Sequence, residues 1–151
     1  MGLLSQRKLL DLIDDDRVKA TIAAAEKQTS GEIRVSVSRF FWGHVRRAAE
    51  KAFARLGMRA TRDRNGILFF IVPSRRAFAV IGDEGIHQKV GQEFWNKLAA
   101  AMSRDFMNGK FNEGLVAGIV ECGRLLAEHF PYEGEKDINE LADDIDYGNK
   151  E

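Results

Sequence analysis

Cysteine is almost missing from this chain: Cys122 is the single thiol in 151 residues. One thiol excludes an internal disulfide and any multi-thiolate zinc site. It falls inside an apolar helical pattern, where a buried structural role is favoured over that of a nucleophile. Histidine is scarce as well, and His44, His87 and His129 are not spaced to share a metal ion. With only two prolines and no low-complexity run, most of the chain is expected to be ordered. Nowhere do 18 consecutive apolar residues occur, and the opening "MGLLSQRKLL" has no long apolar stretch and no cleavage site. The chain therefore reads as cytoplasmic and soluble. Gln6 stands where an acylation signal requires Ser or Thr, which sets that signal aside. Net charge is zero, so the general attraction of a basic protein for nucleic acid is lacking. There is no P-loop, no "GxSxG" and no "HExxH".

What is present fits one domain over residues 1–151: 17.0 kDa, 44% hydrophobic and 30% charged. The charge is unevenly spread. Residues 133–151 form an acidic tail with eight acids against two lysines, so the tail either folds back on a basic body or stays solvated.

Ser5 and the acids at 14–16 are placed to cap helices, the second carrying Val18, Ile22 and Ala25 on one face until "KQTSG". "EIRVSVSRF" alternates Ile33, Val35 and Val37 with polar residues, the period of a strand, and Phe40 and Phe41 are expected to complete it. "HVRRAAEKAFARLG" then groups Val45, Ala48, Ala49, Ala52, Phe53 and Leu56 on one helical face, with Gly57 in place for a helix end. "GILFFIV" has the continuous apolar character of a central strand, and "PSRR" connects it to "AFAVIGD" as an antiparallel hairpin. Two helices follow. One, from about residue 91 to 107, carries Val90, Phe94, Leu98, Ala101, Met102 and Phe106; the other, 111–130, carries Leu115, Ile119, Cys122 and Leu126. The order implies an α/β sandwich with a small mixed sheet, its first two strands parallel through a right-handed crossover.

That topology gathers three polar turns, "TSGE", "RDRNG" and "GDEG", at one end of the sheet. Their oxygen donors are Glu32, Asp63, Asn65, Asp83 and Glu84, with Ser30 and free carbonyls beside them. Calcium and magnesium take such ligands. "TRDRNG" copies the start of an EF-hand loop, but Thr61 replaces the first Asp and Val72 stands where the closing Glu belongs. Ordinary turn chemistry competes with the cation reading, and Asp83 is also well placed as a helix cap.

"KQTSGEIRVSV", "GILFFIV", "FAVIGDEGI", "FMNGKFNEGLVAGI" and "DINELADDIDYG" together resemble the TPM domain family across residues 15–148, nearest to its short free-standing bacterial members. The resemblance implies a three-layer α/β/α sandwich of Rossmann-like appearance with Ca2+ or Mg2+ at acidic loops, and an accessory or regulatory, stress- or repair-related role. Gly82–Asp83 matches the glycine-rich end of the family's edge strand, Gly31–Glu32 its first-strand entry, and Asp63 the turn before its central strand. Ala142 departs from the family, which has proline there. The metal ligands expected are thus Asp83, Glu32, Asp63, Glu84 and Asn65, with weak affinity of roughly 10⁻⁴ to 10⁻³ M.

Plant members of the family are associated with acid phosphatase activity, which makes a metal-assisted phosphatase the alternative. Arg62 or Arg64 would then stabilise developing charge. His87 is available as a general acid, although a helix-surface role is the simpler reading, and no catalytic residue is assigned. A third reading is an anion or nucleic-acid surface around Phe40, Phe41, Trp42 and the basic residues of 44–76. Arg46, Arg47, Lys51 and Arg55 equally describe a solvated helix face. The partners expected are divalent cations and an unidentified protein, with nucleic acid disfavoured, no membrane insertion, and a monomeric chain. In the tail, Ile138, Leu141 and Ile145 are expected to pack on the domain and leave Asp143, Asp144 and Asp146 wet, unless these acids hold a second cation.

Overall fold

The sheet is built from the strands that the alternation marks. In the computed structural model, which describes residues 12–134 and 144–148, β1 (Glu32–Val37) pairs in parallel with β2 (Gly66–Val72), and β2 pairs antiparallel with β3 (Ala77–Gly82). β2 is central in the order β1-β2-β3 and is buried at all seven positions. Its side chains divide by the period of two. Ile67, Phe69 and Ile71 join one core with Ile33, Val35 and Val37 of β1, while Leu68, Phe70 and Val72 enter a second core on the opposite face.

Four helices among the described residues complete the layers. α1 (Asp15–Glu26) starts at Asp14, whose side chain accepts from the Arg17 N–H at 3.2 Å, and it buries Val18 and Ile22. α2 (Val45–Arg55) lies alone on the second face and supplies Ala49, Ala52 and Phe53. Gly57 follows it at φ +69°, the left-handed conformation expected of a helix-terminating glycine. α3 (Glu84–Met107) and α4 (Phe111–His129) cover the first face with α1. Leu115, Ile119, Cys122 and Leu126 of α4 are fully buried. The result is the three-layer α/β/α sandwich with a small mixed sheet.

Several expectations are corrected. β1 stops at Val37, because its register ends at Val37↔Ile71 and β2 has one residue left before the turn at Pro73–Arg75. Phe40 and Phe41 therefore sit in the β1–α2 loop, where the Ser38 hydroxyl donates to the Phe40 carbonyl at 2.8 Å. Phe41 still packs against the second core. α3 begins at Glu84 rather than near residue 91, since Asp83 caps it, and Gly91 (φ +78°) interrupts it instead of starting it. That interruption shifts the helical phase, so Trp95 is buried although the pattern carried through residue 90 passes over it. The tail is not all wet. Asp146 pairs with Arg55 at 2.7 Å and accepts from the Ser36 hydroxyl at 2.7 Å, while Ile145 is buried as expected. The features proposed at Ser5, Ile138, Leu141, Ala142 and Asp143 lie outside the described residues. No helix among the described residues is long and apolar enough to cross a membrane.

Candidate functional site

Polar burial is concentrated at one end of the sheet. Of the seven buried polar residues described, six sit where β1 and β2 begin and β3 ends: Thr29, Ser30, Glu32, Thr61, Asn65 and Asp83. The main chain ties the three turns together. The Glu32 N–H donates to the Asn65 carbonyl at 3.5 Å, the Asp83 N–H to the Gly66 carbonyl at 2.9 Å, and the Gly85 N–H to the Arg64 carbonyl at 2.7 Å.

The two glycines of "GDEG" have separate steric reasons. A Cβ on Gly82 would enter the Trp95 ring, and one on Gly85 would collide with the Asp63 and Arg64 carbonyls. Close packing of α3 on β3 requires the first, and close packing of α3 against the "RDRNG" turn the second. Trp95 is held in place through its indole N–H, which donates to His87 Nδ1 at 3.0 Å across the Gly91 break. His87 is thus a half-buried acceptor rather than a helix-surface residue.

Arg64 adopts φ +50°, uncommon for a residue with a side chain. From there its Nε reaches Asp83 Oδ2 at 2.7 Å and its Nη2 reaches Oδ1 at 2.8 Å, a bidentate pair. Asp83 Oδ1 also accepts from the Glu84 N–H at 2.8 Å, so this carboxylate is both helix cap and arginine partner. Glu84, largely exposed, lies 3.5 Å from Arg64 Nη1. Asp63 is paired with Arg62 at 2.9 Å, and Arg62 also holds Glu133 at 2.8 Å. Hydrogen bonds to Asp63 and Glu133 raise the Arg62 pKa, and those to Asp83 raise that of Arg64. Both guanidinium groups are permanently charged and already engaged by carboxylates.

All five expected ligands are therefore brought to one end of the sheet, in two kinds of environment. Asp63, Asp83 and Glu84 face arginines. Glu32 and Asn65 are buried at 2% and 1% exposure. Among the described residues no group of three or more His, Cys, Asp or Glu is arranged to hold a metal. The neutral oxygens are another matter: Ser30 Oγ and Asn65 Oδ1 are buried without a hydrogen-bond partner. Unsatisfied hard oxygens next to a buried carboxylate suit calcium or magnesium in donor chemistry. Asp83 is committed to Arg64, whose side chain is 40% exposed, and would have to give up that pair to join them. Sequence reasoning missed the His87–Trp95 clamp and the contact of Glu133 with Arg62. The phase break at Gly91 hides the first, and a separation of 71 residues hides the second.

These features define a small α/β domain whose acidic, arginine-clamped site lies at the N-terminal ends of two parallel strands. The family profile of the TPM domain matches residues 4–125, and the chain belongs to that family. Among solved structures, it is similar to the BA42 protein of the psychrophilic bacterium Bizionia argentinensis, with 34% identity over 92% of this chain and 94% of that one, and a TM-score of 0.82. The N-terminal domain of a protein from P. gingivalis shares the fold at 18% identity, TM-score 0.59, covering 87% of this chain and 83% of that domain. No curated protein matches the chain.

Proposed function

We propose that this TPM domain binds a divalent cation, calcium or magnesium, at the mouth of its sheet and serves an accessory or regulatory role towards a protein partner. The observation that carries the reading is the pair of orphaned buried oxygens, Ser30 Oγ and Asn65 Oδ1, beside the buried Glu32. A buried acceptor with no donor costs stability, and a bound cation relieves that cost. Asp83 joins when the ion displaces Arg64, and Asp63 and Glu84 add negative potential at the rim.

Competition with a bidentate guanidinium keeps affinity low, roughly 10⁻⁴ to 10⁻³ M. Arg64→Ala removes the competitor and is expected to tighten binding, although it also destabilises the empty fold. The test is a calcium and magnesium titration followed by amide NMR shifts. Localised changes at residues 30–32, 63–66 and 82–85 are expected, weakened in Asp83→Asn and in Asn65→Ala. Shifts spread evenly over the surface, or none at millimolar ion, sink the proposal.

A further inference from the structure

The end of the sheet opposite the cation site carries a different chemistry. Here β1 and β2 run out, and the 38–44 loop lies against the turn at Pro73–Arg75. The two segments are fastened together: the Ser74 hydroxyl donates to the Arg39 carbonyl at 2.6 Å, and the Arg75 guanidinium sits 5.3 Å from the centroid of the Phe41 ring. Phe41 anchors the loop in the second core. Past it the chain turns at Gly43 (φ +74°) and leaves Trp42 81% exposed, with Phe40 edge-on at 5.5 Å.

Around this tip stand Arg39, Arg46, Arg47, Arg75 and Arg76, all exposed except the partly covered Arg39, with the exposed Lys51 further along α2. From residue 38 to 62 the only acid is Glu50, and it is taken by Arg46 at 3.4 Å. Among the described residues no ion pair engages Arg39, Arg47, Lys51, Arg75 or Arg76. Of the tail acids described, Asp144 and Asp146 pair instead with Lys19 and Arg55.

We propose that this tip docks onto an anionic lipid bilayer, with Trp42 entering the headgroup region and the arginines meeting lipid phosphates. An indole has an apolar body and a polar N–H suited to that boundary. Arg39, Arg46 and Arg47 are within a few residues of Trp42 in the chain, and Arg75 packs on Phe41 of the same loop. Their charge therefore meets the surface with Trp42, where screening sets a reach of about 8 Å at physiological ionic strength. A single-stranded nucleic acid fits less well, because it needs successive free aromatic faces along a groove. Phe40 stands at right angles to Trp42, and Arg75 lies over Phe41. Overall neutrality does not oppose docking, since residues 38–62 carry a single acid, Glu50, and charges more than about 8 Å away are largely screened.

The test uses the full chain with sucrose-loaded vesicles of equal parts phosphatidylglycerol and phosphatidylcholine, and EDTA throughout so that the cation site plays no part. Co-sedimentation with these vesicles but not with pure phosphatidylcholine is expected. Binding should fall steeply as salt shortens the Debye length to about 3 Å at 1 M. Each arginine removed should weaken it about fivefold, so Arg47→Glu, Arg75→Glu and Arg76→Glu combined lose roughly a hundredfold or more. The Trp emission should shift to the blue on binding and fail to do so in Trp42→Ala, because Trp95 is already buried. Equal binding to neutral vesicles, no binding at all, or a triple variant that binds like the parent overturns the proposal. So does tight binding of poly-dT through the same residues in place of vesicles. An unchanged thermal midpoint in the triple variant verifies that its fold is intact.

Discussion

Removing a hydroxyl from a buried serine usually costs stability; at Ser30 the opposite is expected. Its Oγ is buried with no partner, whereas its N–H is independently satisfied by the Phe130 carbonyl at 2.9 Å. Ser30→Ala keeps the Cβ and the main-chain bond and deletes only the orphaned oxygen. A buried hydroxyl without a partner costs about 1–3 kcal/mol on protein scales, and allowing for lost packing, a net gain of about 1 kcal/mol is expected. For a chain of this length that is about 2–4 °C in thermal midpoint. Circular dichroism melts in EDTA should therefore show the variant above the parent. Calcium reverses the order: at a hundred times Kd the parent gains about 2.7 kcal/mol, while the variant, short of one ligand, gains less. A variant less stable than the parent in EDTA by more than about 0.5 kcal/mol, or one with the same calcium response, refutes the assignment of Ser30 to the site.

Other outcomes follow from the packing and charge described above. Gly82→Ala drives a methyl into the Trp95 ring and should destabilise the protein by about 1–3 kcal/mol, with a change in Trp fluorescence, as measured by denaturant melts. The Cys122 thiol is buried, and burial pushes its pKa well above the usual range; native protein should resist thiol reagents at neutral pH and react only at the rate of unfolding. For Asp146, burial raises the pKa, but hydrogen bonds from Arg55 and Ser36 outweigh it and the net shift is downward. A carboxyl held below its unfolded value stabilises the fold at pH above about 3.8 and loses that contribution as pH falls through the folded value. Asp146→Asn should flatten the acid limb of a stability-against-pH curve below about pH 4 and leave its slope near neutrality unchanged.

How far the sequence could be read depends on which forces act locally. β2 was legible because seven apolar residues between polar turns have one economical place, the middle of a covered sheet. β1's core face was legible from Ile33, Val35 and Val37, but its end was not, since Phe40 and Phe41 look like strand residues and only the length of β2 stops the pairing. The caps at Asp14 and Asp83 follow local rules. Gly91 does not, because a glycine in a helical pattern can start, end or merely bend a helix, and the choice here depends on Trp95 reaching back to His87. At the sheet mouth, topology alone brought Glu32, Asn65 and Asp83 to the same place. That Arg64 would fork onto Asp83 depends on a left-handed backbone at an arginine, which no sequence rule favours.

The bridge between Ser36 and Asp146 has a consequence for how copies of this chain meet. β1 is an outer strand with a clean apolar alternation, the kind of edge onto which another chain adds a strand. Residue 146 occupies that edge: its carbonyl accepts from the Val37 N–H at 2.7 Å and its N–H donates to the Val35 carbonyl at 2.9 Å. One residue of the acidic tail thus closes the sheet with two main-chain bonds and sets a carboxylate beside the place where a neighbour would align. The tail works as a guard on the sheet's flank, and shortening it before residue 144 would turn a protected strand into a template for self-association.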